Sequence, residues 1–274
     1  MTIEQFAITQ TKYQIIRRVS MSMALLSIIA LFFAQIWAIP LIFIGFGIYM
    51  YLQEKFTKLA YEFKHKHLKN AIESRYPNIK YEMNNGFTPM EVYGSRLIER
   101  GDVFKSEDML YGKINQTRFR TADVKIQFER PSRTSGRPSL VTRFSGKYYE
   151  IQLPFLVNTP VYIVNNDAEK FGIKQGLERV DFEYIDFNNE VDVYTKNKLE
   201  AFKIMKPKAM EEILKLRQKY GSIAFAFFNK TMVVAMEGRN SFEFYIHRKA
   251  NKQLMQNIEK EIQALVDLTS AMQD

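Results

Sequence analysis

Carboxylates are the most concentrated residues that could carry out chemistry in this chain. Between residues 178 and 205 acids recur at short intervals among apolar neighbours: Asp181, Glu183, Asp186, Glu190 and Asp192. Clustered carboxylates can bind Ca²⁺ or Mg²⁺, and a pair of them can serve as general acid and base. The acids alternate with apolar residues such as Phe182 and Val193, which is typical of the solvent side of a strand. We therefore predict a surface strand here and not a metal or catalytic site.

Other catalytic chemistry has little support in the sequence. The chain contains no Cys, which excludes disulfides, thiolate metal sites and cysteine nucleophiles. His65 and His67 are two residues apart on a predicted helix, so they point to different faces and cannot share a metal ion. No phosphate-binding loop, dinucleotide fingerprint, nucleophile elbow or zinc-protease motif is present. We expect no cofactor; an enzyme would need a deep pocket with perturbed carboxylates around Asp108 or Asp181.

Two groups of basic residues offer binding chemistry. One follows a long apolar run and the other lies in a loop over residues 130–143 that is rich in Pro, Ser and Gly; the candidate contacts are Lys55, Lys58, Arg130, Arg133 and Arg137. Near an anionic leaflet each basic residue contributes about 1 kcal/mol. No aromatic residues are interleaved with the arginines to stack on bases, which disfavours nucleic acid. A solvated helix face and a solvated loop are the simpler interpretations of the two groups. As binding sites, they would contact anionic lipid headgroups or a protein partner.

The stretch over residues 19–53 carries no charge and is predominantly apolar. As one straight helix it would be roughly 50 Å long, well beyond the bilayer's hydrocarbon core of about 30 Å. Gln35 and Pro40 are the polar and helix-interrupting positions near its centre. We therefore predict a transmembrane helical hairpin over residues 16–53, with spans at 16–34 and 39–53 and a turn near 35–40.

The residues that flank this run predict its orientation. Lys12, Arg17 and Arg18 stand at its start and further lysines follow Gln53, whereas the turn is uncharged and carries Trp37. Basic flanks stay on the cytoplasmic side, so both termini are predicted to be cytoplasmic, at a bacterial inner or plasma membrane. A signal peptide and a buried helical pair in a globular domain are the alternatives. The first leaves the second apolar segment unexplained, and the second requires helices that are apolar on every side.

The net charge of +9 agrees with this interpretation. More than half of this positive charge lies within residues 1–70, where basic residues are expected to set the orientation of the hairpin in the membrane. The remaining charge is ordinary for a protein surface. Residues 1–15 are predicted to form a cytoplasmic N-terminal stub, and residues 54–76 a juxtamembrane helix with apolar residues every three or four positions.

Residues 77–274 are predicted to form a cytoplasmic α+β domain of mainly antiparallel strands, divided into two subdomains near 166–178. Alternating patterns predict strands over residues 110–131, 139–155 and 160–164. One inserted helix is predicted over 207–220, starting at Pro207 and stopping before Gly221, and a C-terminal helix over 250–272. The segments SIAFAFF and TMVVAME are predicted to form a tight hairpin that turns at Asn229 and Lys230.

Several short motifs follow the two spans in order: SEDMLYGKI at 106–114, FSG at 144–146, FNNEVDVY at 187–194 and KPKAMEEIL at 206–214. In this order they resemble a bacterial family of two-span membrane proteins known only as a domain of unknown function, over the chain from the first span to Glu237. The resemblance implies the two-span topology and the bacterial membrane location. It implies no activity and no site residues.

We thus expect a membrane-anchored protein whose cytoplasmic domain acts as an interaction or regulatory module. Its partners would be the lipid bilayer, a protein and anionic lipid headgroups, and self-association stays open. An enzyme acting on a membrane-proximal substrate, and a lipid or nucleic-acid binder that uses the 130–143 loop, are the alternatives.

Overall fold

The computed structural model describes residues 1–34, 39–131, 138–165, 176–238, 242–244 and 253–273, without the side chains of 29–34, 39 and 41. The chain divides into two compact units. The first comprises Met1–Arg75 and Phe242–Gln256, and the second comprises Tyr76–Ser241 and Asn257–Asp274. The predicted α+β class with an antiparallel sheet is confirmed.

The first unit is built from helices α1, Ile3–Ala34, and α2, Ile39–Glu62, followed by a π-helical turn, Phe63–His67, and α3, Leu68–Arg75. Helices α1 and α2 run antiparallel, because Phe6 contacts Phe56 near one end while Arg17 bonds to Tyr49 further along. The predicted turn near 35–40, with Trp37, falls largely outside the described residues. The helix predicted over 54–76 is present as the end of α2, the π-helical turn and α3.

Aromatic side chains form a core where the start of α1 meets the end of α2. Phe6 stacks on Phe63 with ring centroids 4.2 Å apart, and Phe244 packs edge-on against both rings. Phe6, Phe56 and Phe63 are buried. Such offset and edge-to-face pairs add to the burial of apolar area, so they fix the angle at which α1 meets the end of α2.

In the part of the chain that the structure describes, the second unit contains seven strands that pair in one antiparallel sheet. The order is β1-β2-β3-β4-β6-β5, and β7 also pairs with β4. The strands are β1 Ile79–Glu82, β2 Val103–Ile114, β3 Thr117–Arg130, β4 Ser139–Asn165, β5 Glu178–Val180, β6 Val191–Thr195 and β7 Ile223–Glu237.

Strand β4 is the centre of the sheet. Its first part pairs with β3 and its last part with β6, while β7 pairs with both parts. The predicted hairpin at Asn229 and Lys230 is therefore wrong, since β7 is a single strand. Asn229 adopts a left-handed φ of 53° opposite Val157, where the register of β4 also shifts. A left-handed residue can form a bulge within a continuing strand, so a sequence that suits a hairpin turn also suits this irregularity.

Helices cover or flank this sheet: α4 Pro89–Gly94, α5 Ile185–Glu190, α6 Lys198–Ile204, α7 Pro207–Tyr220 and α8 Leu254–Ala271. The predictions of α7, with Pro207 in its first turn and Gly221 as its cap, and of α8 are confirmed. Three further helices were not predicted. The strand predicted through the acidic segment is wrong at residues 185–190, because α5 occupies them.

The domain boundaries inferred from sequence stay predictions. Most of the segment 166–178, where we place a subdomain boundary, lies outside the described residues. Strands β4 and β6, on either side of that segment, pair with each other in the same sheet.

Candidate functional site

Most of the exposed large apolar side chains among the described residues lie on α1 and α2. The exposed large apolar side chains there include Ile15, Ile16, Val19, Met21, Leu25, Leu26, Ile28, Phe43, Ile44, Phe46, Ile48, Met50 and Tyr51. Folded monomers rarely expose contiguous apolar patches beyond a few hundred Å².

Small and polar residues line the contact between the two helices around Gly45, away from the aromatic core of Phe6 and Phe56. A Cβ added at Gly45 would lie 3.0 Å from the Cβ of Ala24 and 3.1 Å from the carbonyl oxygen of Ser20, so the two backbones approach closely. The hydroxyl groups of Ser20 and Ser27 donate to carbonyl oxygens of their own helix, at 2.9 and 2.8 Å. Around Gly45 large apolar side chains therefore face outward, and both serine hydroxyls are satisfied within their own helix.

Among the residues whose side chains are described, none of the helices combines the length and the apolar character that crossing a membrane requires.

The basic residues predicted as contacts are only partly brought together. Lys55 lies over the ring of Tyr51, 5.0 Å from its centroid, and Lys58 pairs with Glu54 at 2.7 Å. The hydrogen bond to Tyr51 raises the pKa of Lys55 and the one to Glu54 raises that of Lys58. Both ammonium groups therefore keep their charge at neutral pH and above.

Of the three arginines predicted as contacts in the basic loop, only Arg130 lies among the described residues. Arg130 is exposed at the end of β3, where its carbonyl oxygen accepts from the hydroxyl of Ser139. Arg133 and Arg137 lie outside the described residues. Their part in binding stays a prediction.

Asp108, around which an enzymatic pocket would have to form, is a buried structural carboxylate. The Tyr81 hydroxyl donates to its Oδ1, and its backbone N–H donates to the carbonyl oxygen of Met83 at 2.9 Å. Asp108 has a φ of 62° at the irregularity between Glu107 and Leu110 in β2. Burial and the nearby Asp108 raise the pKa of Tyr81, so the phenol remains a donor. This cluster closes a bulge in β2.

A second polar cluster joins α8 to the sheet. Glu261 of α8 accepts from the ammonium of Lys147 at 2.6 Å and from the Tyr149 hydroxyl at 2.9 Å. Lys147 lies opposite Asp123 in the register between β3 and β4. Burial, followed by the charge of Glu261, raises the pKa of Tyr149 well above its ordinary value. The cluster is a nearly buried clamp that holds α8 in place.

The acidic residues of the 178–205 segment do not converge on one point. Arg179 contacts Asp181 at 3.4 Å and Asp192 at 3.0 Å. Glu190 instead accepts from Arg217 of α7 at 2.6 Å. Ion pairs with arginine therefore engage Asp181, Asp192 and Glu190, three of the five carboxylates that suggested a metal or acid/base site.

A cleft of about 770 Å³ lies beside two of these acids. Asp186 and Glu190 line one part of it, and Arg217 and the buried Asn165 line another. Because the ion pair between Glu190 and Arg217 already neutralises one acid, the cleft presents mixed polarity and no matched pair of catalytic carboxylates.

Three residues of the motifs at 106–114 and 144–146 have structural roles in the sheet. A Cβ at Gly112 would lie 2.1 Å from the carbonyl oxygen of Asn78, and one at Gly146 would lie 2.1 Å from that of Met236. The hydroxyl of Ser106 accepts from Phe87 N–H and donates to the carbonyl oxygen of Asp123. These positions are restricted by close backbone approach and by hydrogen bonds within the sheet.

One surface was missed at the level of sequence. On α6, Leu199 and Phe202 are exposed although they belong to a helix whose Ala201 and Ile204 are buried. Lysines surround them in the sequence YTKNKLEAFKIMKPK over residues 194–208. The three-residue spacing of two apolar residues between lysines was the available signal.

The comparisons with known proteins agree with the resemblance and add no activity. Residues 142–273 match a family described as "Protein of unknown function (DUF3137)", which confirms the resemblance to a domain of unknown function. This match starts within β4 and includes α8. The crystal structure of the mycobacterial trehalose monomycolate transport factor A, TtfA, is similar with a TM-score of 0.42 and 11% sequence identity, covering 76% of this chain and 97% of that one. No curated protein matches the chain.

Proposed function

We propose that this chain is a membrane-anchored binding protein, in which the α1–α2 hairpin inserts into a bacterial inner or plasma membrane. The second unit acts in the cytoplasm as an interaction or regulatory module. The observation that carries the proposal is the exposed apolar surface on both helices, because water disfavours such a surface and hydrocarbon does not. The uncharged sequence continues through residues 29–39, where side chains lie outside the described part.

Details of the helix pair support a lipid environment. Hydrogen-bonding groups in hydrocarbon must be satisfied within the protein, and the hydroxyls of Ser20 and Ser27 bond within their own helix. Small residues let membrane helices approach closely, as at Gly45 and Ala24. Lys55 and Lys58 lie just beyond the uncharged run, where they would face anionic headgroups on the cytoplasmic side.

The assignment of the second unit as a binding module is supported by the use of its carboxylates. Asp108 bonds to Tyr81, Glu261 holds Lys147, and Glu190 holds Arg217. Groups in these roles stabilise the fold and are poor general acids or bases. Binding of a protein partner then requires no further chemistry.

The absence of cysteine makes the topology testable with single introduced thiols. In intact cells a membrane-impermeant maleimide should label Trp37→Cys, at the predicted outer turn. It should label Thr2→Cys and Gln273→Cys only after the membrane is opened. The unsubstituted chain is the control, since it has no thiol to react.

Labelling of Gln273→Cys from outside intact cells would contradict the orientation. Release of the chain from membranes by alkaline carbonate would contradict insertion. For the binding role, cross-linking in intact membranes should capture a protein at constant stoichiometry; its absence after cross-linkers of several lengths would count against a protein partner.

A further inference from the structure

Helix α6 has an outward face with an ordered charge pattern. At 3.6 residues per turn, the exposed side chains follow one another around the helix in the order Lys198, Phe202, Leu199, Lys203. Two apolar side chains therefore occupy the middle of this face and a lysine stands on each side. Leu199 is 77% exposed and Phe202 is 49% exposed. We call these four side chains the α6 face.

The opposite side of α6 holds this face in a fixed orientation. Ala201 and Ile204 are buried in the unit, and the Asn197 side chain caps the helix by accepting from Leu199 N–H at 3.1 Å. Glu200 points inward and accepts from Asn158 N–H at 3.2 Å. The exposure of Leu199 is therefore a consequence of which residues the helix buries.

The ring of Phe202 is anchored from one side only. Its centroid lies 5.2 Å from that of Phe182 in an edge-to-face arrangement. This contact orients the ring and leaves half of its surface exposed. Because the ring is already held in one orientation, binding of another surface to its exposed side costs little side-chain entropy.

Lysines predominate in the sequence of α6 and its flanks, whereas the segment that contributes Phe182 carries the exposed acids Asp181 and Glu183. Residues 194–208 contain Lys196, Lys206 and Lys208 in addition to the two lysines of the face, and their single acid is the inward-pointing Glu200. Lys198 contacts Glu178 at 3.4 Å and Lys203 contacts Glu200 at 3.8 Å. The side chains of both lysines are more than half exposed, so the two ammonium groups of the face are accessible to an anionic surface.

We propose that the α6 face docks on the anionic headgroups of a lipid leaflet, with Leu199 and Phe202 inserted at the headgroup level. The charge pattern matches such a surface. Apolar side chains enter the interface while flanking lysines extend their ammonium groups to the phosphates. This inference rests on the proposed membrane anchoring and extends it, since it gives the second unit a lipid contact of its own.

An environment-sensitive label can test this contact in the full chain. Leu199→Cys, labelled with nitrobenzoxadiazole, is reconstituted into nanodiscs that contain phosphatidylglycerol, or phosphatidylcholine only. In the anionic nanodiscs we expect a shift of emission to shorter wavelength and quenching by nitroxide-labelled lipid. Both should disappear with phosphatidylcholine alone and at 1 M salt, where the Debye length is about 3 Å.

Two variants decide whether the signal reports the proposed docking. Met90→Cys, at a residue that is 85% exposed on α4, is the matched label control and should stay in water. Lys198→Gln together with Lys203→Gln, in the Leu199→Cys background, should abolish quenching without changing the unfolding of the chain. Both lysines are exposed, so their loss leaves the core intact.

Several results would overturn the inference. These are a Leu199→Cys label that stays in water in anionic nanodiscs, quenching equal to that of Met90→Cys, or a shift that needs an added acidic protein. Carbonate extraction of the same samples tests the hairpin separately. If extraction releases the chain, the anchoring proposal fails, and quenching on phosphatidylglycerol vesicles still decides whether the α6 face binds lipid.

Discussion

The helix pair α1–α2 and the sheet of the second unit place the same residue types in opposite positions. On α1 and α2 large apolar residues point outward, and Gly45, Ala24 and Ser20 line the contact between the helices. In the sheet the apolar residues are inside, and ion pairs such as that of Arg120 with Glu91 lie at the surface. This difference is what the proposed membrane anchoring of the helix pair predicts.

Truncation of a phenylalanine should separate the two regions most strongly. Phe227 in β7 is 0% exposed and Phe43 in α2 is 71% exposed. Phe227→Ala should lower the free energy of unfolding of the second unit by about 3–5 kcal/mol, because it leaves a cavity. Phe43→Ala should leave that free energy unchanged. Pulse proteolysis of the detergent-solubilised full chain over a urea series measures both, and equal losses would remove the distinction.

A charge introduced on the helix pair should have the next largest effect, which is a loss of membrane retention. Leu26→Arg places a guanidinium on the outward face of α1, which costs about 2.5–3.5 kcal/mol near the centre of a bilayer. The fraction of chain that resists carbonate extraction should therefore fall. Tyr61→Arg is the matched control, because Tyr61 is 63% exposed on α2 beyond the uncharged run, close to the 64% of Leu26. Equal retention of both variants would mean that α1 does not lie in lipid.

Packing between the helices can be tested with two glycines of α2. Gly45→Val would press against Ala24 and the backbone at Ser20 and should destabilise the helix pair by about 1–3 kcal/mol. Gly47→Val is the control, because a Cβ there meets no described atom within 4 Å. Dodecyl sulfate titration of the detergent-solubilised chain, followed by helical circular dichroism, measures the difference. A larger loss for Gly47→Val would contradict the antiparallel packing described above.

Local signals predicted those elements that local chemistry determines. Pro207 and Gly221 mark the ends of α7, and the periodic apolar residues of α8 mark its buried face. The hairpin predicted at Asn229 was wrong because a polar, left-handed residue suits a turn and a bulge equally. Only the pairing of β7 with β4 decides between the two. The acids near 186 alternate as in a strand although the segment forms α5. Long-range contacts determine these elements, and a single sequence does not contain them.

The candidate surfaces divide in the same way. The uncharged run and its basic flanks could be recognised from sequence, since membrane insertion depends on local composition. For the α6 face the spacing of Leu199 and Phe202 between lysines was too weak a signal, because their exposure depends on Ala201 and Ile204 being buried. The roles of Asp108 and Glu261 were hidden for a similar reason. Their partners Tyr81 and Lys147 come from other elements.

Alkaline pH should produce the smallest effect and should act on the sheet alone. Burial raises the pKa of Tyr81, Tyr148 and Tyr149 in the folded unit, whereas an unfolded tyrosine titrates near pH 10. The neutral phenols stabilise the fold fully below pH 10. Above it the unfolded chain releases protons that the folded chain retains, so stability falls as the pH rises. The urea midpoint of the second unit should therefore be lower at pH 10.5 than at pH 8.

Tyr149→Phe isolates one of these groups. It removes the hydrogen bond to Glu261, so the variant should be less stable than the unsubstituted chain at pH 8. It also removes one phenol that ionises only after unfolding, so its midpoint should fall less between pH 8 and 10.5. Tyr61→Phe, on the exposed side of α2, should reproduce the pH dependence of the unsubstituted chain. If the urea midpoint of Tyr149→Phe fell as much between pH 8 and 10.5 as that of the unsubstituted chain, the clamp between Tyr149 and Glu261 would not hold the phenol neutral. The buried polar groups of the second unit would then no longer distinguish it electrostatically from the helix pair.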